Sequence, residues 1–198
     1  MEVIVSTLIN GLSLGGIYAM IALGYTMVYG IAKMLNFAHG DIIMVGGYTI
    51  FVAMATNNPL LAILAAVVAC VILGVVIEKV AYRPLRGASP LAVLITAIGV
   101  SYLLQSLAQI IFGSAPKMVT VYEFGSVEFL GATIQVSSLV TLAVTVVVMT
   151  VLTLFVKCTR LGRAMIAVSE DRDAAQLMGI NVNGIITITF AIGSSLAA

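Results

Sequence analysis

Five stretches of this chain carry no charged residue: Val3 to Ala32 (30 residues), Ile42 to Ile77 (36), Gly87 to Pro116 (30), Phe129 to Val156 (28) and Ala174 to Ala198 (25). Together they hold 149 of the 198 residues. A helix crossing the hydrocarbon core needs about 20 predominantly apolar residues, so the first four stretches are long enough to span it, and the longest has room for more than one crossing; the fifth begins in a loop that runs through Asn183. The runs mix Leu, Ile, Val, Ala and Gly without strict alternation, which is the pattern of helices and not of a porin-like barrel. An all-α, polytopic integral membrane helical bundle is expected. The 62% hydrophobic and 9% charged composition argues against a soluble fold.

A net charge of +1 gives no case for nucleic acid, which needs a basic patch. Cys70 lies inside an apolar run and Cys158 beside Lys157. Neither belongs to a C-x-x-C motif, so both read as free thiols. Met1-Glu2 offers no basic leader, and the first apolar run is expected to remain as an anchor and not to be cleaved as a signal. After Asn183 only 15 residues remain, fewer than a crossing needs, so the chain is expected to stop within a helix as a fragment of a longer protein.

Orientation follows from where Lys and Arg gather in short loops. Glu78 to Arg86 carries three positives and one negative, and Lys157 to Asp173 carries Lys157, Arg160, Arg163 and Arg172. Both loops are expected in the cytoplasm. Lys117 to Glu128 holds one Lys against Glu123 and Glu128 and is expected outside. Asn57-Asn58-Pro59 is a turn signal that divides the 36-residue run. Its first half, Ile42 to Thr56, is either a short or tilted span or a re-entrant half-helix. If it crosses, Lys33 to Asp41 lies inside, giving five crossings and the start of a sixth. Gly11-x-x-x-Gly15 with Ala19, and the ladder Ala62, Ala66, Cys70, Gly74, read as helix–helix contact stripes.

The segment Thr159 to Asn181 reads as a surface helix of about ten residues. Ser169 suits its N-cap, Glu170 and Asp171 its first turn, and Gly179 its end. Ala174, Leu177 and Met178 share one face at i, i+3, i+4 spacing, with Glu170 and Asp173 away from them. Two uses are open for this segment: a partner-docking surface or a solvated loop helix.

Asp173-Ala174-Ala175-x-x-x-Gly179 resembles the EAA-type loop of ABC importer permeases, with Asp in place of the first Glu. Three further segments, Gly24-Tyr25-Thr26-Met27-Val28-Tyr29-Gly30-Ile31, Asn36-Phe37-Ala38-His39-Gly40-Asp41 and Glu78 to Arg86, together with it resemble the LivH-type permeases of branched-chain amino acid importers. The match runs from Leu8 to the end, and such permeases are about half as long again. The resemblance implies one permease domain over residues 1–198, with a cytoplasmic coupling loop at about 157–182. Its ATPase-coupling residues would be Ser169, Glu170, Asp173, Ala174, Ala175, Leu177, Met178 and Gly179. Implied partners are two cytoplasmic ATP-binding subunits, a second permease subunit and a periplasmic substrate-binding protein, in a bacterial inner membrane. None of the four lysines follows a Gly, so the chain has no nucleotide-binding P-loop and ATP hydrolysis falls to another chain.

Candidate translocation-path residues are Asn36, His39, Asp41, Ser101, Gln105 and Gln109. Ser101, Gln105 and Gln109 fall on one helix line, where polar groups serve either helix–helix hydrogen bonds or a wet path. His39 and Asp41 are ionisable groups near a membrane segment, with a structural turn as the plainer reading. Tyr25, Tyr29 and Lys33 share a face as interfacial anchors. No catalytic residue, cofactor or metal is expected. Two rival readings stand beside the importer: an ion-coupled secondary transporter or channel using Ile42 to Thr56 as a broken helix, and an intramembrane enzyme built on His39 and Asp41.

Overall fold

The computed structural model describes residues 2–117, 125–129 and 132–198. It is an all-α membrane bundle. The helices are α1 (Glu2–Ala32), α2 (His39–Ala53), α3 (Pro59–Ile77), α4 (Pro90–Phe112), α5 (Val136–Cys158), α6 (Arg160–Glu170), α7 (Arg172–Leu177) and α8 (Val182–Ala197). Among the described residues, four apolar stretches are long enough to cross a membrane: Val3–Ala32, Pro59–Leu85, Pro90–Phe112 and Val136–Cys158. α2 and α8 are shorter, at 15 and 16 residues.

The turn at Asn57-Asn58-Pro59 forms as the sequence demands. Asn57 takes a left-handed conformation, Asn58 caps α3 by accepting from the Leu61 amide, and Pro59 occupies the first turn, where its missing N–H costs nothing. α3 continues past Ile77 through one π-helical turn (Glu78–Tyr82) and a 3₁₀ turn (Arg83–Leu85). α5 starts at Val136, seven residues later than the charge-free run, because a short hairpin precedes it. Its strands β1 (Ser126–Phe129) and β2 (Ala132–Gln135) pair antiparallel with Ser126 opposite Gln135. Glu123, one of the acids used to place that loop outside, lies outside the described residues.

Of the two expected contact stripes, one is present. Ala62, Ala66, Cys70 and Gly74 are all buried, and they carry α2 and α8 against α3. A side chain at Gly74 would overlap Ser194 of α8, so only a bare Cα permits this approach. A Cβ added at Gly11 or Gly15, by contrast, would meet nothing within 4 Å among the described residues; the neighbouring Gly16 is the position that lies against Thr145 of α5. Spacing alone did not distinguish which of two overlapping small-residue registers faces the bundle.

Paired contacts fix the helix directions. Asn10 meets Ser138 and Gly16 meets Thr145, so α1 and α5 run parallel. Gly74 meets Ser194 and Glu78 meets Thr187, so α3 and α8 run antiparallel. Eight of the nine cationic side chains consequently gather at one end of the bundle: Lys33, Lys79, Arg83, Arg86, Lys157, Arg160, Arg163 and Arg172. Lys117 sits at the other end, over the Phe51 ring at 5.8 Å.

Candidate functional site: the α6–α7 segment and the buried start of α2

Two arrangements stand out, one at the basic end and one inside the bundle. At the basic end the single surface helix expected from Ser169 is two helices. α6 is capped by Thr159, whose hydroxyl accepts from the Gly162 amide. It ends at Glu170, and Asp171 is extended (φ −148°, ψ 113°). The Asp171 carboxylate accepts from the Asp173 and Ala174 amides at 2.9 and 3.0 Å, making it the N-cap of α7. Ser169 is therefore not a cap. Its hydroxyl donates back to the Ile166 carbonyl at 2.7 Å, the use Ser makes within a helix. A carboxylate is the stronger acceptor for two free amides, which places the break two residues further on.

α7 turns Ala175 inward and leaves Asp173, Ala174, Leu177 and Met178 outside. Leu177 is 89% exposed and Met178 83%, at the tip of the segment. Gly179 ends it at φ +82°, a conformation suited to glycine after a helix. Glu170 closes α6 beside this tip.

This segment is tied to the membrane helices. Arg172 donates to the Ala32 carbonyl at the carboxyl end of α1. Nearby, Glu78 is fully buried and held by two partners. Arg86 forms an ion pair with it, Thr187 of α8 donates to its second oxygen at 2.8 Å, and Arg86 also donates to Asn183. Burial pushes the Arg86 guanidinium down from its ordinary range, and the adjacent Glu78 carboxylate pushes it back up. Tyr82, buried one turn on, donates to the Asn36 side chain at 3.0 Å and packs against Phe190. The Glu78 to Arg86 segment was noticed in the sequence as a motif; Asn183 and Thr187 gave no signal, because their role depends on α8 folding back along α3.

The second arrangement surrounds the start of α2. His39 lies against Gly24 and edge-on to Tyr25, with ring centroids 6.1 Å apart, eight and seven residues before the end of α1. Asp41 accepts from Gln105 at 3.0 Å, and Gln105 also donates to Ser101 at 3.1 Å. Gln105 is fifteen residues past the start of α4, about 22 Å at 1.5 Å per residue. Tyr48 stacks on Phe112 seven residues further along both helices, so α2 and α4 run parallel. The loop 33–38 is thus drawn back into the bundle, and α2 is a short helix that starts inside it. Non-helical backbone is tolerated there because protein covers it: Asn36 and Ala38 are buried.

His39 and Asp41 are 3% and 6% exposed, and His39 Nε2 and Asp41 Oδ2 have no hydrogen-bond partner among the described residues. Asp41 sits in the first turn of α2, where the helix dipole favours a carboxylate. Of the polar line on α4, Ser101 and Gln105 join this cluster. Gln109 is exposed and does not. Tyr29 and Lys33 are exposed at the basic end as expected of anchors, whereas Tyr25 turns toward His39. Cys70 and Cys158 are both unpaired thiols, the first buried and the second exposed.

Long apolar helices, one basic end and polar side chains enclosed between helices define a multi-pass membrane protein. Residues 7–198 match the family described as branched-chain amino acid transport system, permease component, and the chain belongs to that family. It is 44% identical to the high-affinity branched-chain amino acid transport system permease protein BraD of Pseudomonas aeruginosa, over 96% of this chain and 67% of that protein. It is 40% identical to the permease proteins LivH of Salmonella typhimurium and of Escherichia coli K12, over 96% of this chain and 66% of theirs. The chain thus spans about two thirds of the length of these relatives. No solved structure matches it.

Proposed function

We propose that this chain is the transmembrane part of an ABC importer that moves branched-chain or related small amino acids across a bacterial inner membrane, without covalent chemistry of its own. In this reading residues 1–198 form one permease domain, and the loop at about 157–182 lies in the cytoplasm. Two ATP-binding subunits hydrolyse ATP, a second permease subunit completes the path, and a periplasmic binding protein delivers the cargo. The observation that carries the reading is the exposed Leu177–Met178 tip beside Ala174, on a segment whose Arg172 holds the end of α1. Two adjacent apolar side chains this exposed at the end of a short helix offer a partner an apolar contact, and the tie to α1 gives that partner leverage on the bundle.

Closure of the ATPases would displace α7, and with it the carboxyl end of α1 and the Glu78–Arg86–Asn183 cluster. The path is proposed to pass the inner end of α2, where Asn36, His39, Asp41, Ser101 and Gln105 are gathered, with Gln109 further along α4. Alternation between inward and outward states needs only that cargo and nucleotide bind the two states with different affinity.

Ala174→Glu in the assembled transporter tests the docking surface. Loss of the ATPase subunits on purification is the expected result, and unchanged co-purification counts against the proposal. A Cys at Ser169 in a Cys158→Ser background tests orientation. It should resist impermeant thiol reagents in intact cells and react in inverted vesicles; ready labelling in intact cells would reverse the topology.

A further inference from the structure

We infer that the basic end of the bundle holds a built site for the phosphate headgroup of one anionic phospholipid. A cavity of about 430 Å³ opens between the end of α1, the loop that follows it and the start of α4. Lys33, Arg86 and Arg172 line it, and Arg83 stands close enough to repel Arg86. Arg172 also repels Arg86, so these cations crowd one another. Among the described residues, Glu78 is the one carboxylate bonded to the group, and it is already shared between Arg86 and Thr187. The cavity therefore carries uncompensated positive charge. The Nε–H groups of Arg86 and Arg172 are also buried without an acceptor among the described residues.

The start of α4 points the same way. Pro90 occupies its first turn and lines the cavity, so the positive end of a 23-residue helix dipole borders it; Ser89 accepts from the Ala92 amide, so the dipole and not free N–H groups is what this end contributes. The remaining wall is apolar, from Met34, Leu35, Leu85, Val93 and Leu94. Position selects a lipid over a soluble anion. The cavity sits where α1 leaves off and α4 begins and is lined by the exposed Tyr29 ring, whose reading as an interfacial anchor puts it among headgroups. Basic pockets between membrane helices at such a boundary take anionic headgroups. Here the cations face the phosphate, and the leucines and Val93 face the glycerol and upper acyl chain.

The experiment uses the full chain, delipidated and titrated with phosphatidylglycerol or phosphatidylcholine under native mass spectrometry. One phosphatidylglycerol should be retained per chain as a distinct 1:1 species. A graded distribution without that species, or equal retention of phosphatidylcholine, would overturn the site. Lys33 has φ +51°, which Asn tolerates, so Lys33→Asn removes the charge without straining the backbone. It should weaken retention about fivefold, the loss of one cation near an anionic surface, while Lys117→Asn at the opposite end changes nothing. Unaltered retention in Lys33→Asn would contradict the assignment. Inorganic phosphate should leave the lipid bound because it cannot use the apolar wall. Full displacement would indicate a soluble-phosphate site instead, and stable occupation of the cavity by an acidic protein segment would also overturn the lipid assignment.

Discussion

Arg172, at the first position of α7, closes the carboxyl end of α1 by donating to the Ala32 carbonyl. A helix end leaves its last carbonyls unsatisfied, and here the guanidinium that satisfies one of them comes from a segment 140 residues away in sequence. The proposed coupling role of α7 would act on α1 through this bond.

Arg172→Gln should leave the apolar tip of α7 intact while weakening this tie. A charge-assisted hydrogen bond contributes about 1.5–3 kcal/mol. In the assembled transporter the ATPase subunits should still co-purify, but ATP-driven uptake should fall by about tenfold or more, corresponding to at least ~1.4 kcal/mol of lost coupling. Normal uptake would show that force does not pass through Arg172.

Gly74 and Ser194 bring α3 and α8 together with no room for another carbon. Gly74→Ala should destabilise the protein by about 1–3 kcal/mol through overpacking. Ser194→Gly on the same chain should restore most of it, since the two positions share one contact and their effects are not additive. Thermal unfolding in detergent of the two single variants and the double variant measures this coupling.

Arg86 matters through Glu78. Truncation by Arg86→Ala leaves a fully buried carboxylate with Thr187 as its one partner among the described residues, and breaking such a pair costs about 3–5 kcal/mol. Arg83→Ala, whose side chain is exposed, should change stability by less than about 0.5 kcal/mol. Unfolding midpoints of the two variants should differ accordingly; equal midpoints would remove Glu78 from its central place in the α3–α8 contact.

The charge-free runs made the bundle legible, because excluding water from long apolar helices leaves few other solutions. The Asn57-Asn58-Pro59 turn and the Ala62 to Gly74 stripe were readable for the same reason: each is a local rule with a strong physical cause. Ser169 was misread because the sequence offers two cap residues two positions apart, and the choice rests on which side chain reaches free amides in three dimensions. The inward start of α2 was left open by its length alone; contacts with Gly24 and Gln105, distant in sequence, place it. The Ser101–Gln105–Asp41 contact could be anticipated on the α4 side from helical spacing, but its partner on α2 could not. Asn183 and Thr187 were invisible for the same reason, as their meaning depends on a long-range antiparallel pairing.

The most direct measurement places a Cys at Leu177, in a chain whose Cys70 and Cys158 are replaced by Ser, and cross-links it in native membranes containing the whole transporter. A covalent product with an ATP-binding subunit, with a yield that changes when ATP is added, is the expected result. Absence of any such product, together with undiminished ATP-driven uptake by Leu177→Glu, would contradict the proposal that α7 is where the ATPase grips the membrane helices.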